Sequence, residues 1–243
     1  MAQSQSTQQD LLVAGDSAYA VFDNQKALAY YEQAFAEDST DFDTRIRLSR
    51  TSYDFGLDQV AAGDDDVALP TFERSILHAR ALVTHFPDSA QSHFLLAATM
   101  GNLALFKNGR EKLLLGRLVA EHSKKAIALD STLAYPYVSL GIYYRELSSL
   151  SWIEKTLAKV FFGRIPEATS EQALELLQTA LRLRPDFPFL HFELAMTFKM
   201  LNQFDKAIEH LETLIALQPE SSQDARNQSN AKKLITELKV YSR

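Results

Sequence analysis

Two stretches of this chain repeat one another in register at a separation of 34 residues, and no other feature limits the fold as sharply. The first runs Glu171-Gln-Ala-Leu-Glu-Leu-Leu-Gln-Thr-Ala-Leu-Arg-Leu-Arg-Pro185. The second runs Asp205-Lys-Ala-Ile-Glu-His-Leu-Glu-Thr-Leu-Ile-Ala-Leu-Gln-Pro219. Ala173 aligns with Ala207, Leu177 with Leu211 and Pro185 with Pro219. Each stretch closes on Pro, which stops a helix because it lacks an N–H and clashes with the preceding turn. A unit of this period is a pair of helices that cannot bury its apolar face alone, so it must stack on copies of itself.

Followed backwards, the register extends over the whole chain. The Leu-like position of the first helix of each pair (helix A) falls at Ala14, Leu48, Leu96, Leu140 and Leu194. The small-residue position of the second (helix B) falls at Ala34, Leu82, Ala126, Ala180 and Leu214. The two positions are 20 residues apart in the first and fifth pairs but 34, 30 and 40 apart in the middle three. About 14, 10 and 20 extra residues therefore lie between helices A and B of those pairs. Turn signals close the units at Asp38-Ser39, Pro87-Asp88, Asp130-Ser131, Pro185-Asp186 and Pro219-Glu220. Such a unit resembles the tetratricopeptide repeat. The predicted fold is all-α: a tetratricopeptide-like solenoid of about five units, at 8–41, 42–89, 90–133, 134–187 and 188–221. A capping helix follows over about 222–240, where Ala231, Leu234, Ile235 and Leu238 keep helical spacing, and residues 1–9 form a disordered leader.

Composition narrows the function. The net charge of −6 and pI near 5.5 oppose a nucleic-acid role. No cysteine is present, which removes disulfides and thiolate metal sites. No apolar run approaches the roughly 18 residues of a membrane span. The start, Met-Ala-Gln-Ser-Gln-Ser-Thr, has no signal-peptide pattern. A small residue before a polar run fits both a processed periplasmic chain and a cytoplasmic leader.

The inserts differ in character. The second unit's insert, Gly56–Thr71, holds Gly63-Asp64-Asp65-Asp66 and Pro70 and predicts a loop. Its contiguous acids lack the alternate spacing of a calcium loop. The third unit's insert, Gly101–Arg117, turns at Asn108-Gly109 and predicts helix extensions on both sides. In the fourth, Ile153, Leu157, Val160 and Phe161 lie at helical spacing, flanked by Trp152 and Phe162, with Lys155, Lys159 and Arg164 among them. That is an amphipathic helix, read either as a lid over neighbouring repeats or as a contact for a membrane or partner.

Catalytic signals are missing from the sequence: it contains no phosphate loop, metalloprotease helix or nucleophile elbow, and no catalytic, cofactor or metal residues are predicted. His93 and His191 open helix A as packing residues. His78 and His85 share a spacing of seven without a third ligand. What remains is the concave face, lined from helix A. Groove candidates are Leu12, Ile46, Phe94, Tyr135, Val138, Ile142, Phe189, Phe192 and Met196, with Arg50 and Ala98 in equivalent positions and Tyr19, Tyr53, Arg145 and Lys199 one turn further. Phe94, Val138 and Phe192 stand where a clamp for a C-terminal carboxylate would need Lys, Asn and Arg. An apolar groove of this extent needs a cover: the chain's own inserts or cap, an amphipathic partner helix, or an acyl chain.

Three segments carry a closer likeness: Arg45-Ile-Arg-Leu-Ser-Arg-Thr-Ser-Tyr-Asp54, Glu121-His-Ser-Lys-Lys-Ala-Ile-Ala-Leu-Asp130, and the run from Leu140-Gly141 through Trp152 and Phe161-Phe162 to Pro166, before Glu171-Gln-Ala-Leu174. They resemble the regulator of microtubule dynamics family, over most of the chain after about residue 10. The resemblance implies an all-helical domain with an interior groove. It also implies a link to organelle tethering and phospholipid binding in one animal branch, whose membrane anchor and phosphoprotein-binding segments have no counterpart in these residues. Compact length and the polar start suggest a bacterial relative. The expected function is a non-enzymatic scaffold binding a protein or peptide, with lipid binding in the same groove as the alternative and peripheral membrane contact through the fourth insert.

Overall fold

The computed structural model describes residues 2–151, 155–156, 159–161, 163 and 168–241, with side chains from residue 7. Among them the regular structure is entirely helical. The A helices are α1 (Ala2–Ala20), α3 (Phe42–Ala62), α5 (Ala90–Leu103), α7 (Ala134–Ser149) and α9 (Pro188–Met200). The B helices are α2 (Asn24–Glu37), α4 (Asp65–His85), α6 (Gly109–Leu129), α8 (Ser170–Leu183) and α10 (Phe204–Ala216), and α11 (Ser222–Leu238) covers the last pair. Each helix packs on its neighbour in sequence, and consecutive A helices from α3 to α9 also touch, so the A helices form the inner layer of an α-solenoid.

The repeat positions are the core. Ala34, Leu82, Ala126, Ala180 and Leu214 are all fully buried, as are Leu48, Leu96, Leu140 and Leu194 within a few per cent. A and B helices approach closely because glycine leaves room for the opposing ring or side chain. A Cβ on Gly15 would lie 2.4 Å from the Tyr31 ring, one on Gly56 2.6 Å from that of Phe72, and one on Gly141 2.9 Å from Leu177.

Local chemistry sets the helix limits. Asp23, Asp41, Asp64, Ser89, Thr169 and Ser221 each accept a backbone N–H at a helix start, and Thr169 and Gln172 complete a reciprocal box. The second insert is not the loop expected from Gly63 and the acids: it lengthens α3 and α4 and leaves only the turn at Gly63 and Asp64. Gly63 ends α3 at φ +77°, left-handed geometry that glycine adopts without strain. Asp64 caps α4, while Asp65 and Asp66 occupy its first turn, where the helix dipole favours negative charge. That placement accounts for the acidic run. Pro70 lies inside α4, and nearby Thr71 donates to the Val67 carbonyl. The third insert becomes a 3-10 turn at Ala104–Phe106 followed by an extended α6, entered through Gly109 at φ +52°. At the other end α1 begins at Ala2, inside the stretch expected to be a disordered leader. Gln8 on that stretch reaches the Thr44 hydroxyl at 3.5 Å.

The solenoid curls until its second unit meets the cap. Asp58 on α3 accepts from Ser222 Oγ at 2.5 Å and from Arg226 at 2.8 Å, both on α11. Its other oxygen accepts from Asn24 at the start of α2, at 2.7 Å. One carboxylate thus joins the second unit to the cap across more than 160 residues of sequence.

Candidate functional site: the concave cavity

The curvature encloses a cavity of about 1520 Å³, bordered by every A helix and by α11. Its apolar wall is a ladder of rings. Phe94 stacks on Tyr135 with centroids 5.0 Å apart, Tyr135 meets Phe187 edge-on at 4.9 Å, and Phe189 follows at 6.1 Å. Val138 and Ile142 continue the wall along α7. Arg184 packs over the Phe187 ring at 4.7 Å, donates to the Tyr135 hydroxyl and pairs with Glu220, which fixes the aromatic end.

The same cavity also carries polar and charged side chains, although the helix A pattern predicts an apolar groove in the second half. Tyr19 on α1 donates to Asp54 at 2.6 Å. Burial pushes the Asp54 carboxyl up to about 6, against the lowering effects of that hydrogen bond and of Arg50. Arg50 lies over the Tyr19 ring at 4.2 Å and has no ion-pair partner among the described residues; its Nε makes no hydrogen bond. On α7 Arg145 pairs with buried Glu193 at 2.7 Å and donates to the Glu193 carbonyl and to Thr197. Burial raises the Glu193 carboxyl above its ordinary range and Arg145 opposes the shift. Asp224 on α11, 2% exposed, takes the Ser221 hydroxyl and the Glu220 N–H on one oxygen; the other has no partner.

Of the groove candidates, Phe94, Tyr135, Val138, Ile142 and Phe189 border the cavity, as do Tyr19, Arg50, Tyr53, Ala98 and Arg145. Leu12 and Ile46 do not; they are buried in the N-terminal and central cores. Phe192 and Met196 likewise pack against the C-terminal core, and Glu193 takes their place in the cavity. In α9 the inner stripe runs through Phe189 and Glu193 and so lies one residue off the stripe through Phe192 and Met196. At 100° per residue that step turns a side chain from groove to core. Asp54, Glu193 and Asp224 escape the sequence pattern. A signal existed for Glu193, the only acid on α9, set between Phe192 and Leu194.

The lid residues are only partly described. Trp152, Ile153, Leu157 and Phe162 lie outside the described residues. Val160 is 74% exposed and Phe161, which borders the cavity, 46%.

The histidines form two matching joints. His93 Nε2 lies 2.9 Å from the Pro87 carbonyl, and its Nδ1 2.9 Å from His122 Nδ1. His191 repeats this with Pro185 at 2.9 Å and His210 at 3.0 Å. A carbonyl can only accept, so each helix A histidine carries its proton on Nε2 and accepts from its partner on Nδ1. These are A-to-B struts outside the cavity. Among the described residues, no group of three or more His and acidic side chains has metal-site geometry.

Helix pairs stacked in sequence around an inner groove define a tetratricopeptide-type solenoid. A thermophilic tetratricopeptide protein of Thermus thermophilus shares the fold, with a TM-score of 0.66 at 20% identity, covering 92% of this chain and 98% of that one. The chain belongs to the regulator of microtubule dynamics protein 1-3 family, whose model matches residues 11–239. Bovine regulator of microtubule dynamics protein 2 is 30% identical over 154 residues, 63% of this chain but 38% of that protein. Mouse regulator of microtubule dynamics protein 1 is 22% identical over 231 residues, 95% of this chain and 74% of that protein. No helix among the described residues is long and apolar enough to cross a membrane.

Proposed function

We propose that this chain is a non-enzymatic scaffold whose cavity holds an amphipathic polypeptide segment. The observation that carries the reading is the mixed lining. Phe94, Tyr135, Val138 and Ile142 share the cavity with charges of both signs at Arg50, Asp54, Arg145, Glu193 and Asp224. A helix with one apolar and one polar face can satisfy both kinds of lining residue. The volume, about 1520 Å³, exceeds the range of roughly 300–1,000 Å³ usual for small-molecule sites. Fluorescence polarisation of the purified chain against labelled amphipathic helical peptides tests the reading. Binding should occur and be lost in Ile142→Glu, which puts a charge into the apolar wall. Absence of any peptide binding by a folded chain would overturn it.

A lipid is the second reading. It is favoured by the ring wall together with Arg50, a cavity-lining guanidinium with no ion-pair partner among the described residues. Organic extraction and mass spectrometry of the purified chain separates the two. A stoichiometric phospholipid supports the second reading, and a protein repeatedly free of lipid removes it.

A further inference from the structure

Three buried carboxylates border the cavity from three different units of the solenoid: Asp54 on α3, Glu193 on α9 and Asp224 on α11, exposed by only 7%, 6% and 2%. Tyr53 marks where they converge. Burial holds its phenol above the ordinary range, and the charges of Asp54, Glu193 and Asp224 all push it the same way. Arg145 satisfies Glu193. Asp54 and Asp224 have no ion-pair partner among the described residues. Asp54 takes the Tyr19 hydroxyl on Oδ2 alone. Asp224 holds Ser221 and the Glu220 N–H on Oδ2, and its buried Oδ1 has no hydrogen bond. A buried acceptor without a partner is costly, and more so when charged. Set against these two acids is Arg50, which lies over the Tyr19 ring at 4.2 Å. The same sign prevails along the whole lining. Eight acids and five bases border the cavity, and of the eight Glu220 is taken by Arg184 from outside it. The balance still draws a cation in and opposes an anion.

We infer that Asp54 and Asp224 form a subsite for a basic side chain, so that the segment held in the cavity is a basic amphipathic helix. The inference rests on the peptide reading above and adds the charge that the partner must carry. An ammonium or guanidinium in the subsite gives Asp224 Oδ1 the donor it lacks. Burial raises the Asp54 carboxyl and the Asp224 charge adds to the rise, and a cation there offsets both effects. A bare metal ion does not suit the subsite, because no group of three or more His and acidic side chains among the described residues has metal-site geometry. A small amine would leave Phe94, Tyr135, Val138 and Ile142 uncovered. A basic amphipathic helix brings cations and apolar side chains together. An acidic helix would set like charges against two buried carboxylates.

The test is fluorescence polarisation of the full chain with three labelled helical peptides of equal length and identical apolar face. Their polar faces carry Lys and Arg, Gln and Ser, or Glu. The basic peptide should bind tightest, and salt should reduce part of its advantage. Removing one side of a buried charge pair weakens binding by about thirtyfold or more. Asp54→Asn and Asp224→Asn keep size and one acceptor oxygen. Each should weaken the basic peptide by about that factor and leave the neutral peptide unchanged. The double variant should bind the basic and neutral peptides alike. Glu73→Gln removes an exposed acid outside the cavity and should bind as the parent chain does. Thermal melts check folding, and either single variant decides the matter if the other does not fold. A preference for the basic peptide that survives the double variant overturns the inference, as does an equal loss in Glu73→Gln. Neutral or acidic peptides that bind as tightly as the basic one overturn it and leave the peptide reading standing. Failure of all three peptides overturns both.

Discussion

Asp54 is held in the conformation that favours its neutral form. A carboxyl raised from 3.8 to about 6 stabilises the fold fully below the ordinary value, and that contribution is lost as pH rises through about 6. Asp54→Asn keeps an acceptor for Tyr19 and removes the titration. It should melt higher than the parent above pH 7 but not at pH 4, with a gap on the order of 3 kcal/mol at most. A melting difference independent of pH would exclude this account. Arg145 and Glu193 make the opposite case, a buried pair in which each charge needs the other. Arg145→Ala should cost about 3–5 kcal/mol by denaturant titration, whereas replacing both residues by Leu should recover most of the loss. These groups also mark the limit of what sequence reveals. Phe94, Val138 and Ile142 were legible because apolar side chains follow the helical period. Asp54 and Asp224 were not, because an acid becomes distinctive only once neighbours remove its water, and those neighbours come from other units.

Helix pairs were legible wherever small residues or turns had to stand, and the inserts where a surplus of chain had to be placed. Length alone could not show that the second insert would be spent on two longer helices. The acids at its turn read equally well as loop residues until a helix start was placed under them. Packing between A and B helices predicts a sign reversal among glycines. Alanine is the better helix former by about 1 kcal/mol, so Gly101→Ala, with nothing nearer than 3.8 Å, should raise the melting temperature. Gly56→Ala should lower it by an amount equivalent to about 1–3 kcal/mol, because the Phe72 ring must move. The buried histidines give the pairs a pH dependence of their own. Burial depresses His78 and His210 to about 4 and lowers His122, which like-charged neighbours lower further. A histidine depressed in the fold contributes stability above about 6.5, and that stability is lost as pH falls toward 4. Melting temperature should therefore drop over that interval, and His210→Gln should flatten part of the slope.

An open solenoid is one-dimensional: each unit senses only its neighbours, and the ends fray first. Asp58 changes that arrangement by tying α3 and α2 to α11. Breaking the tie with Asp58→Ala should speed amide exchange in α1, α2 and α11 together, while α5 to α8 stay protected. Exchange that rose only beside residue 58 would confine its role to a local contact. The chain's lack of cysteine makes the converse available, since Asp58→Cys with Ser222→Cys introduces two thiols with no native competitor. Stacked units whose second member is fastened to the cap melt as a hoop rather than as a row. Only the first pair is left outside the hoop, and the second unit and the cap rise and fall in stability as one.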